Sequence, residues 1–263
     1  VYDIARNTGA YLIEQLGVDR TPVAVFAGRK MVTPAYFLGV VYAGRPYAPI
    51  DASLPDKRIE KILENLCPRA IVADRESLEH VESIVDELEK SEGFDRPQIF
   101  IAEDISRFEP VACADSNCKI SESAGDAVTD SENDMLATVR RHMSMTDPLY
   151  IIYTSGSTGN PKGVMTSHLS LMTYINAYCD VMHIECDDVL GNQSPLDYIA
   201  AIRDIYLPLK TGCSTAIIPK EYFMEPNALF DYMNDKKVSS VGWSVSAFTI
   251  LTSLGAFEEV GLK

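Results

Sequence analysis

Short apolar segments alternate with segments of helical periodicity along most of this 263-residue sequence. Val23–Phe26 and Ala70–Ala73 are uninterrupted apolar runs, which are typical of buried strands. Between them, Ile59, Ile62 and Leu63 recur at the spacing that places side chains on one face of a helix. This alternation predicts βα units. We therefore expect an α/β fold with a mostly parallel sheet flanked by helices, rather than a sandwich or a bundle.

The same alternation continues on both sides of one long interruption. The remaining predicted strands are 47–51, 98–101, 149–153, 189–193, 214–218 and 238–243. The remaining predicted helices are 35–43, an acidic helix ending near 90, 168–182, 199–209, a helix opened by Pro226 and a last helix ending at 254. Periodicity fails between Glu103 and Asp147, as is typical of an insertion or a lid. We predict one partial core domain over 1–263, with an acidic insertion at about 103–147.

The chain is strongly acidic, with 38 Asp and Glu against 23 Lys and Arg and a net charge of −15. Such a charge disfavours nucleic acid or an anionic membrane as a partner. Residues 74–134 hold 18 acidic and 5 basic side chains, which is more typical of a solvated surface segment than of a docking site for a basic partner. No apolar run is long enough for a membrane helix, and Val1–Asp3 is unlike the start of an export signal. We expect a soluble, cytosolic protein.

Cysteine and histidine spacing argues against a structural zinc site. The six cysteines form no Cys-x-x-Cys pair, and the four histidines are scattered. Cys113 and Cys118 are close enough in sequence to approach each other, but reduced thiols are the expectation for a cytosolic chain.

One segment, Tyr153–Gly163, carries the residue types suited to phosphate binding. Its glycines allow a tight turn with N–H groups facing inward, its hydroxyls add donors, and Lys162 adds a positive charge. A flexible Gly/Ser linker is the plain alternative, but a linker is rarely bracketed by a buried strand and closed by Pro-Lys-Gly. The candidate phosphate ligands are Thr154, Ser155, Gly156, Ser157, Thr158, Gly159, Lys162 and Gly163.

Two familiar nucleotide-binding motifs do not fit this segment. The loop of kinases and ATPases requires Gly-x-x-x-x-Gly-Lys-Ser/Thr, whereas Pro161 occupies the position of the second glycine and Gly163 follows the lysine. A dinucleotide fingerprint does not follow the first predicted strand either. A phosphoryl-transfer enzyme is therefore disfavoured.

The segment Tyr153–Gly163 resembles the phosphate-binding signature of the AMP-forming adenylating superfamily. This group contains acyl-CoA synthetases, luciferases and the adenylation domains of nonribosomal peptide synthetases. Tyr42–Asp51 is similar to an element of peptide-synthetase adenylation domains, and Asn192–Gly212 is similar to the substrate-pocket helix of D-alanyl carrier protein ligases. His168 fits the end of the signature, as a supporting contact or as a residue that starts a helix beside Ser167.

The resemblance implies a reaction in which a carboxylic or amino acid and ATP give an acyl-adenylate and pyrophosphate. The acyl group then passes to a thiol, either the phosphopantetheine of a carrier protein or CoA. Lys162 is the implied catalytic residue, and ATP and Mg²⁺ are the implied cofactors. Members are about twice this length. The adenine-binding and ribose-binding elements and the C-terminal domain with its lysine are therefore expected beyond Lys263, and the fragment is expected to be inactive alone.

The substrate-pocket positions depart from the pattern of the amino-acid-activating members. The aspartate that pairs with the substrate ammonium falls on Ile199, with Asp197 two residues earlier. Either Asp197 serves after a two-residue shift, or the substrate has no ammonium group there, because a buried isoleucine would leave that charge unpaired. The same register places Arg203 and Trp243 in the pocket, which implies an acidic or aromatic acid. For Arg203, a surface pair with Asp204 is the alternative.

Two function classes remain open at this point. The first is an enzyme fragment that adenylates a carboxylic or amino acid. The second is a catalytically silent nucleotide-binding or interaction module, to which the departures at Ile199 and Arg203 point. The sequence downstream of Lys263 would distinguish them.

Overall fold

A computed structural model of the chain describes residues 1–91, 93–108, 135–154 and 160–255. The α-helices are α1 (Tyr2–Leu16), α2 (Thr33–Tyr42), α3 (Asp56–Leu66), α4 (Leu78–Glu89), α5 (Ala102–Ile105), α6 (Met135–His142), α7 (His168–Met182), α8 (Ile199–Thr211), α9 (Pro226–Asp235) and α10 (Val245–Ser253). The strands are β1 (Val23–Phe26), β2 (Tyr47–Pro49), β3 (Ala70–Ala73), β4 (Gln98–Ile101), β5 (Pro148–Thr154), β6 (Lys162–Ser167), β7 (Val189–Asn192), β8 (Ser214–Ile217) and β9 (Ser240–Val241). A short 3₁₀ helix spans Lys220–Met224.

The larger of two sheets has the strand order β4-β3-β1-β2-β5-β6. Its neighbours pair in parallel, except that β5 and β6 form an antiparallel hairpin. Every residue of β1 and β3 is buried, because helices cover both faces of these central strands. The predicted α/β class with a mostly parallel sheet is confirmed, whereas the antiparallel β6 was not predicted.

A second sheet of three parallel strands, in the order β8-β7-β9, follows in the chain. The strand predicted over 238–243 is reduced to the two residues of β9. A third apolar cluster, including Leu229 of α9 and Leu251 of α10, packs around Ile218 directly after β8. The structure thus consists of two sheet regions, where the sequence indicated only a continuing alternation.

Sequence periodicity did not predict α1, which has a glycine near its centre. A methyl group built on Gly9 would lie 2.6 Å from Tyr42 Cβ, and one built on Gly39 would lie 2.5 Å from Thr8 Cβ. The two glycines therefore allow α1 and α2 to pack with their backbones in close approach. Here glycine serves packing rather than breaking the helix.

Two helices occupy the ends of the predicted 103–147 insertion. At its start α5 ends at Ile105, and near its end α6 buries Leu136 and Val139 against α1 and α2. Because α6 has only eight residues, tertiary packing rather than sequence periodicity fixes it. Cys113 and Cys118 lie outside the described residues. Within the described residues, no helix has the length and apolar content needed to cross a bilayer.

Candidate functional site

The β5–β6 hairpin presents the two ends of the candidate phosphate loop. Thr154 ends β5 and Lys162 begins β6, and the two residues are cross-strand partners. Thr154 Oγ1 donates a 3.5 Å hydrogen bond to the Lys162 carbonyl oxygen, and both side chains are exposed. The predicted phosphate ligands that the structure describes, Thr154, Lys162 and Gly163, therefore lie together at the open end of the hairpin. Five further predicted ligands lie outside the described residues, namely Ser155, Gly156, Ser157, Thr158 and Gly159.

Gly163 has a packing role in the hairpin. A methyl group built there would lie 2.9 Å from Ile151 Cγ2 and 3.1 Å from Tyr153 Cζ, which is too close for a larger residue without a shift of these side chains. The Tyr153 side chain extends toward α3, where its hydroxyl donates a 2.8 Å hydrogen bond to Asn65 Oδ1. Burial raises the pKa of the Tyr153 hydroxyl to about 12. Glycine at 163 therefore makes room for the tyrosine that ties the hairpin to α3.

A second contact joins α3 to the loop. Lys61 Nζ donates to Asn160 Oδ1 at 3.1 Å, two residues before the candidate lysine. Together with the contact to Tyr153, this bond fixes both arms of the hairpin against one helix. The hairpin is thus anchored where Lys162 emerges.

His168 is the first residue of α7, beside the capping residue Ser167. The Ser167 Oγ accepts a hydrogen bond from the Ser170 amide at 3.2 Å. The imidazole Nε2 is buried without a hydrogen-bond partner among the described residues, and burial lowers the pKa of His168. It faces a cavity of about 690 Å³ that is also lined by Tyr42 and Leu136. His168 therefore starts a helix and faces that cavity.

Asp197 lies in the loop before α8, next to charged groups of the first sheet region. Burial raises the pKa of its carboxyl group, the negative charge of Asp51 raises it further, and Arg58 opposes the shift. No hydrogen bond or ion pair in the described ranges joins Asp197 to Arg203 or Trp243. Asp197 is thus half-buried and faces the end of β2 rather than the other predicted pocket residues.

The expectation that Ile199 is buried is wrong. Its side chain is 50% exposed at the first position of α8, whereas Ala201 and Ile202 in the same turn are fully buried. A substrate ammonium group at this position is therefore not excluded by burial of Ile199.

Arg203 is buried in an ion pair rather than at the surface. Its side chain is only 10% exposed, and its Nε donates to Asp204 Oδ1 at 2.6 Å. Burial disfavours the charge, but the interaction with Asp204 holds the pKa of Arg203 above its ordinary value. The adjacent Trp243 donates from Nε1 to the Gly191 carbonyl at 2.9 Å. Arg203 and Trp243 therefore meet at the carboxyl ends of β7 and β9.

Sequence reasoning missed the polar network behind Arg203. Asn192 Nδ2 donates to the second oxygen of Asp204 at 2.9 Å. Arg29 Nη2, from the first sheet region, donates to the Asn192 carbonyl at 2.7 Å and to its Oδ1 at 3.0 Å. The only sequence signal was an Arg-Asp pair inside an otherwise apolar helix. Such a pair does not reveal which distant residues contact it.

The described residues contain no group of three or more His, Cys, Asp or Glu side chains arranged to hold a metal ion. The hydroxyl of Thr154 is a hard oxygen donor of the kind that Mg²⁺ prefers, but it stands without a neighbouring carboxylate cluster in this part of the chain. The described side chains do not by themselves fit a magnesium site.

Comparison with known proteins gives a consistent set of relatives. The sequence model of the family described as AMP-binding enzyme matches residues 1–261. A D-alanine--D-alanyl carrier protein ligase of Bacillus velezensis is 28% identical over 222 residues, covering 84% of this chain and 37% of the ligase. Bacitracin synthase 1 of Bacillus licheniformis is 26% identical over 255 residues, covering 94% of this chain and 4% of the synthase.

A solved four-domain nonribosomal peptide synthetase bound to AMP and glycine shares the fold. Its TM-score is 0.70 at 20% identity, and the match covers 95% of this chain and 16% of that protein. The chain spans little more than a third of the length of the carrier protein ligases it matches.

Proposed function

The chain belongs to the AMP-binding enzyme family, and from this premise we propose that the protein containing it adenylates a carboxylic or amino acid. The reaction consumes ATP and releases pyrophosphate. The acyl group then passes to a thiol of a carrier protein or of CoA. The observation that carries the proposal is the β5–β6 hairpin, which places Lys162 opposite Thr154 at the open end of the glycine-rich loop.

In the first step a carboxylate oxygen of the acid attacks the α-phosphorus of ATP. The bond between the α-phosphorus and the bridging oxygen breaks, and the electron pair leaves with pyrophosphate. The attacking carboxylate is already ionised at pH 7, so the step requires no general base. In the second step a thiolate attacks the acyl carbonyl, and AMP leaves with the electrons of the broken C–O bond.

The main demand on the protein is electrostatic, because negative charge accumulates on the departing pyrophosphate. In this proposal the Lys162 ammonium group and the Thr154 hydroxyl stabilise that charge. The anchoring of the hairpin to α3 through Tyr153 and Lys61 holds these groups before the reaction begins. Mg²⁺ would accompany ATP as its counterion.

Replacement of the lysine tests this proposal. In the complete protein, Lys162→Ala should lower ATP–pyrophosphate exchange by about tenfold or more, which is typical of losing one preorganised charge-stabilising group. Lys90→Ala is the matched control, because Lys90 is an exposed lysine, far from the hairpin in sequence, whose ammonium group pairs with Glu87 of α4. Unchanged exchange in Lys162→Ala would remove the hairpin from the mechanism.

A further inference from the structure

The cavity that His168 faces has mainly apolar walls. Its volume of about 690 Å³ lies within the range of about 300–1,000 Å³ that is typical of small-molecule sites. Its walls come from α1, α2, α6, the segment after α6 and the ends of α7 and α8. The apolar side chains among the lining residues are Leu38, Val41, Leu136, Met143, Met145 and Leu209. Such a lining suits the hydrocarbon part of a ligand.

The charge of the cavity is opposite to that of the chain as a whole. The sequence holds 38 Asp and Glu against 23 Lys and Arg. Among the described residues that line the cavity, Arg6 and Arg140 are positively charged and none is Asp or Glu. The charge of Asp147 acts on the lining residue His168, but Asp147 itself forms a 2.7 Å ion pair with Arg20. The lining is therefore positive within a strongly acidic chain.

Polar side chains accompany the two arginines. The rings of Tyr2 and Tyr42 meet edge to face in the lining, with their centroids 6.4 Å apart. Burial raises the pKa of the Tyr42 hydroxyl and the charge of Arg140 opposes the shift, so this guanidinium is close to the hydroxyl. His168 contributes the buried Nε2 that has no hydrogen-bond partner in the described ranges. A buried polar atom is normally bonded to protein, water or a ligand.

The cavity and the proposed phosphate site lie at opposite ends of the β5–β6 hairpin. Ser167, directly before His168, pairs with Pro148 where β5 begins. Thr154 pairs with Lys162 at the open end. The seven residues of β5, at about 3.3 Å each, separate the two ends by about 20 Å. None of the predicted substrate-pocket residues lines the cavity either. The cavity is therefore separate from the groups to which the adenylation reaction was assigned.

We propose that this cavity is a second ligand site, which binds a small amphipathic carboxylate. The hydrocarbon part of the ligand lies against the apolar walls, and its carboxylate group pairs with Arg6 and Arg140. Arginine is suited to this role, because its planar N–H donors match the two oxygens of a carboxylate. Burial of the hydrocarbon supplies affinity, and the arginines select the anionic head group. The site does not depend on the proposed adenylation.

The test is isothermal titration calorimetry of the complete protein without ATP. The probes are octanoate, octanol and octylamine, which share one hydrocarbon chain and differ in the charge of the head group. We expect saturable binding of octanoate, tighter than that of octanol by about tenfold or more, because the carboxylate adds charge-assisted hydrogen bonds. Octylamine should bind most weakly, since its ammonium group is repelled by the arginines.

Variants of the lining connect this preference to the cavity. The double variant Arg6→Gln/Arg140→Gln should weaken octanoate binding by about tenfold and change octanol binding by less than about twofold, because only charge is lost. A purely structural role of the arginines would weaken both probes. Arg141→Gln is the matched control, because Arg141 is the next residue of α6, is exposed and does not line the cavity. Met145→Trp keeps both arginines and fills the cavity, so it should weaken both probes.

Far-ultraviolet circular dichroism confirms that each variant is folded. Equal affinity for octanoate and octanol, or no binding of octanoate, would overturn the proposal. Octanoate bound in the reaction site would keep its affinity in the double variant and in Met145→Trp, and this result would overturn it as well. ATP–pyrophosphate exchange by the parent, measured separately, tests the adenylation alone, so either proposal can fail without the other.

Discussion

Among the residues that the structure describes, each sheet region contains one buried carboxylate, and the two are held in different ways. Asp74, directly after β3, is 1% exposed and accepts hydrogen bonds from the amides of Gly28 and Ser77 and from Lys30 Nζ. Asp204, in α8, is 3% exposed and accepts from the side chains of Asn192 and Arg203. One carboxylate thus binds mainly backbone, and the other binds only side chains.

The difference separates a carboxylate that ties backbone turns from one that orients side chains. Backbone amides stay where the chain places them, so Asp74 closes the turns that follow β1 and β3. Side chains have rotatable bonds, so a carboxylate that accepts hydrogen bonds from two side chains fixes the direction of both. Asp204 therefore orients Arg203, whereas Asp74 has no such group to aim except Lys30, which is 42% exposed. The first region thus uses its buried carboxylate to fix backbone turns, and the second uses its buried carboxylate to orient an arginine and an asparagine side chain.

The largest effect is expected from removing the carboxylate of Asp204, which accepts its hydrogen bonds from side chains. Asp204→Ala should lower the free energy of unfolding by about 3–5 kcal/mol, because it leaves the buried Arg203 guanidinium without its counter-ion. Urea unfolding of the purified chain measures this change. Asp231→Ala, which alters an exposed aspartate of α9 in the same region, should stay within about 0.5 kcal/mol of the parent. If both variants retain the parent stability, the network does not contribute to folding.

A smaller, pH-dependent effect is expected at Asp74. Burial opposes its ionisation, but the hydrogen bonds from Gly28, Lys30 and Ser77 outweigh burial and lower the pKa of the carboxyl group. A lowered folded-state pKa gives stability that is present above the unfolded-state pKa near 4 and is lost as the pH falls through the folded-state value. Asp74→Asn should therefore lower the free energy of unfolding by about 1–3 kcal/mol at pH 7.

The difference between parent and Asp74→Asn should shrink as the pH falls from the unfolded-state pKa near 4 through the lowered folded-state pKa of Asp74. Subtracting the two curves cancels the acid sensitivity of the other carboxylates, which both proteins share. A difference that is independent of pH would mean that Asp74 contributes through shape rather than through its charge.

The strands could be predicted, and the candidate phosphate loop could be proposed, because their signals are local. β1 and β3 are buried on both faces and hence apolar throughout, and Lys162 follows its glycines within a few residues. The network of Arg203 could not be predicted, because its members come from four separate parts of the chain. Periodicity shows that position 203 belongs to a helix but does not show that Arg29 and Asn192 lie behind it.

Tertiary contacts also explain the two errors at the ends of elements. The predicted strand 238–243 shortened to β9, since Gly242 and Trp243 leave the sheet where Arg203 and the Gly191 carbonyl engage them. Ile199 was expected to be buried because the family register places it at a substrate-pocket position, but its side chain, at the first position of α8, is 50% exposed. In both cases the local sequence pattern was not sufficient, because contacts with residues distant in sequence determine where the strand ends and which side chains are covered.

The smallest effect is expected from removing a helix cap, and each region offers one cap for comparison. Ser167 Oγ accepts from the Ser170 amide at 3.2 Å at the start of α7, and Ser244 Oγ accepts from the Ala247 amide at 3.3 Å at the start of α10. Because a cap acts on its own first turn, Ser167→Ala and Ser244→Ala should each lower the free energy of unfolding by about 1 kcal/mol. If Ser167→Ala and Ser244→Ala lose equal stability in urea unfolding, the two regions differ in how their buried carboxylates are bound and not in their helix caps. A much larger loss for Ser244→Ala would instead show that the second region depends on its helix ends.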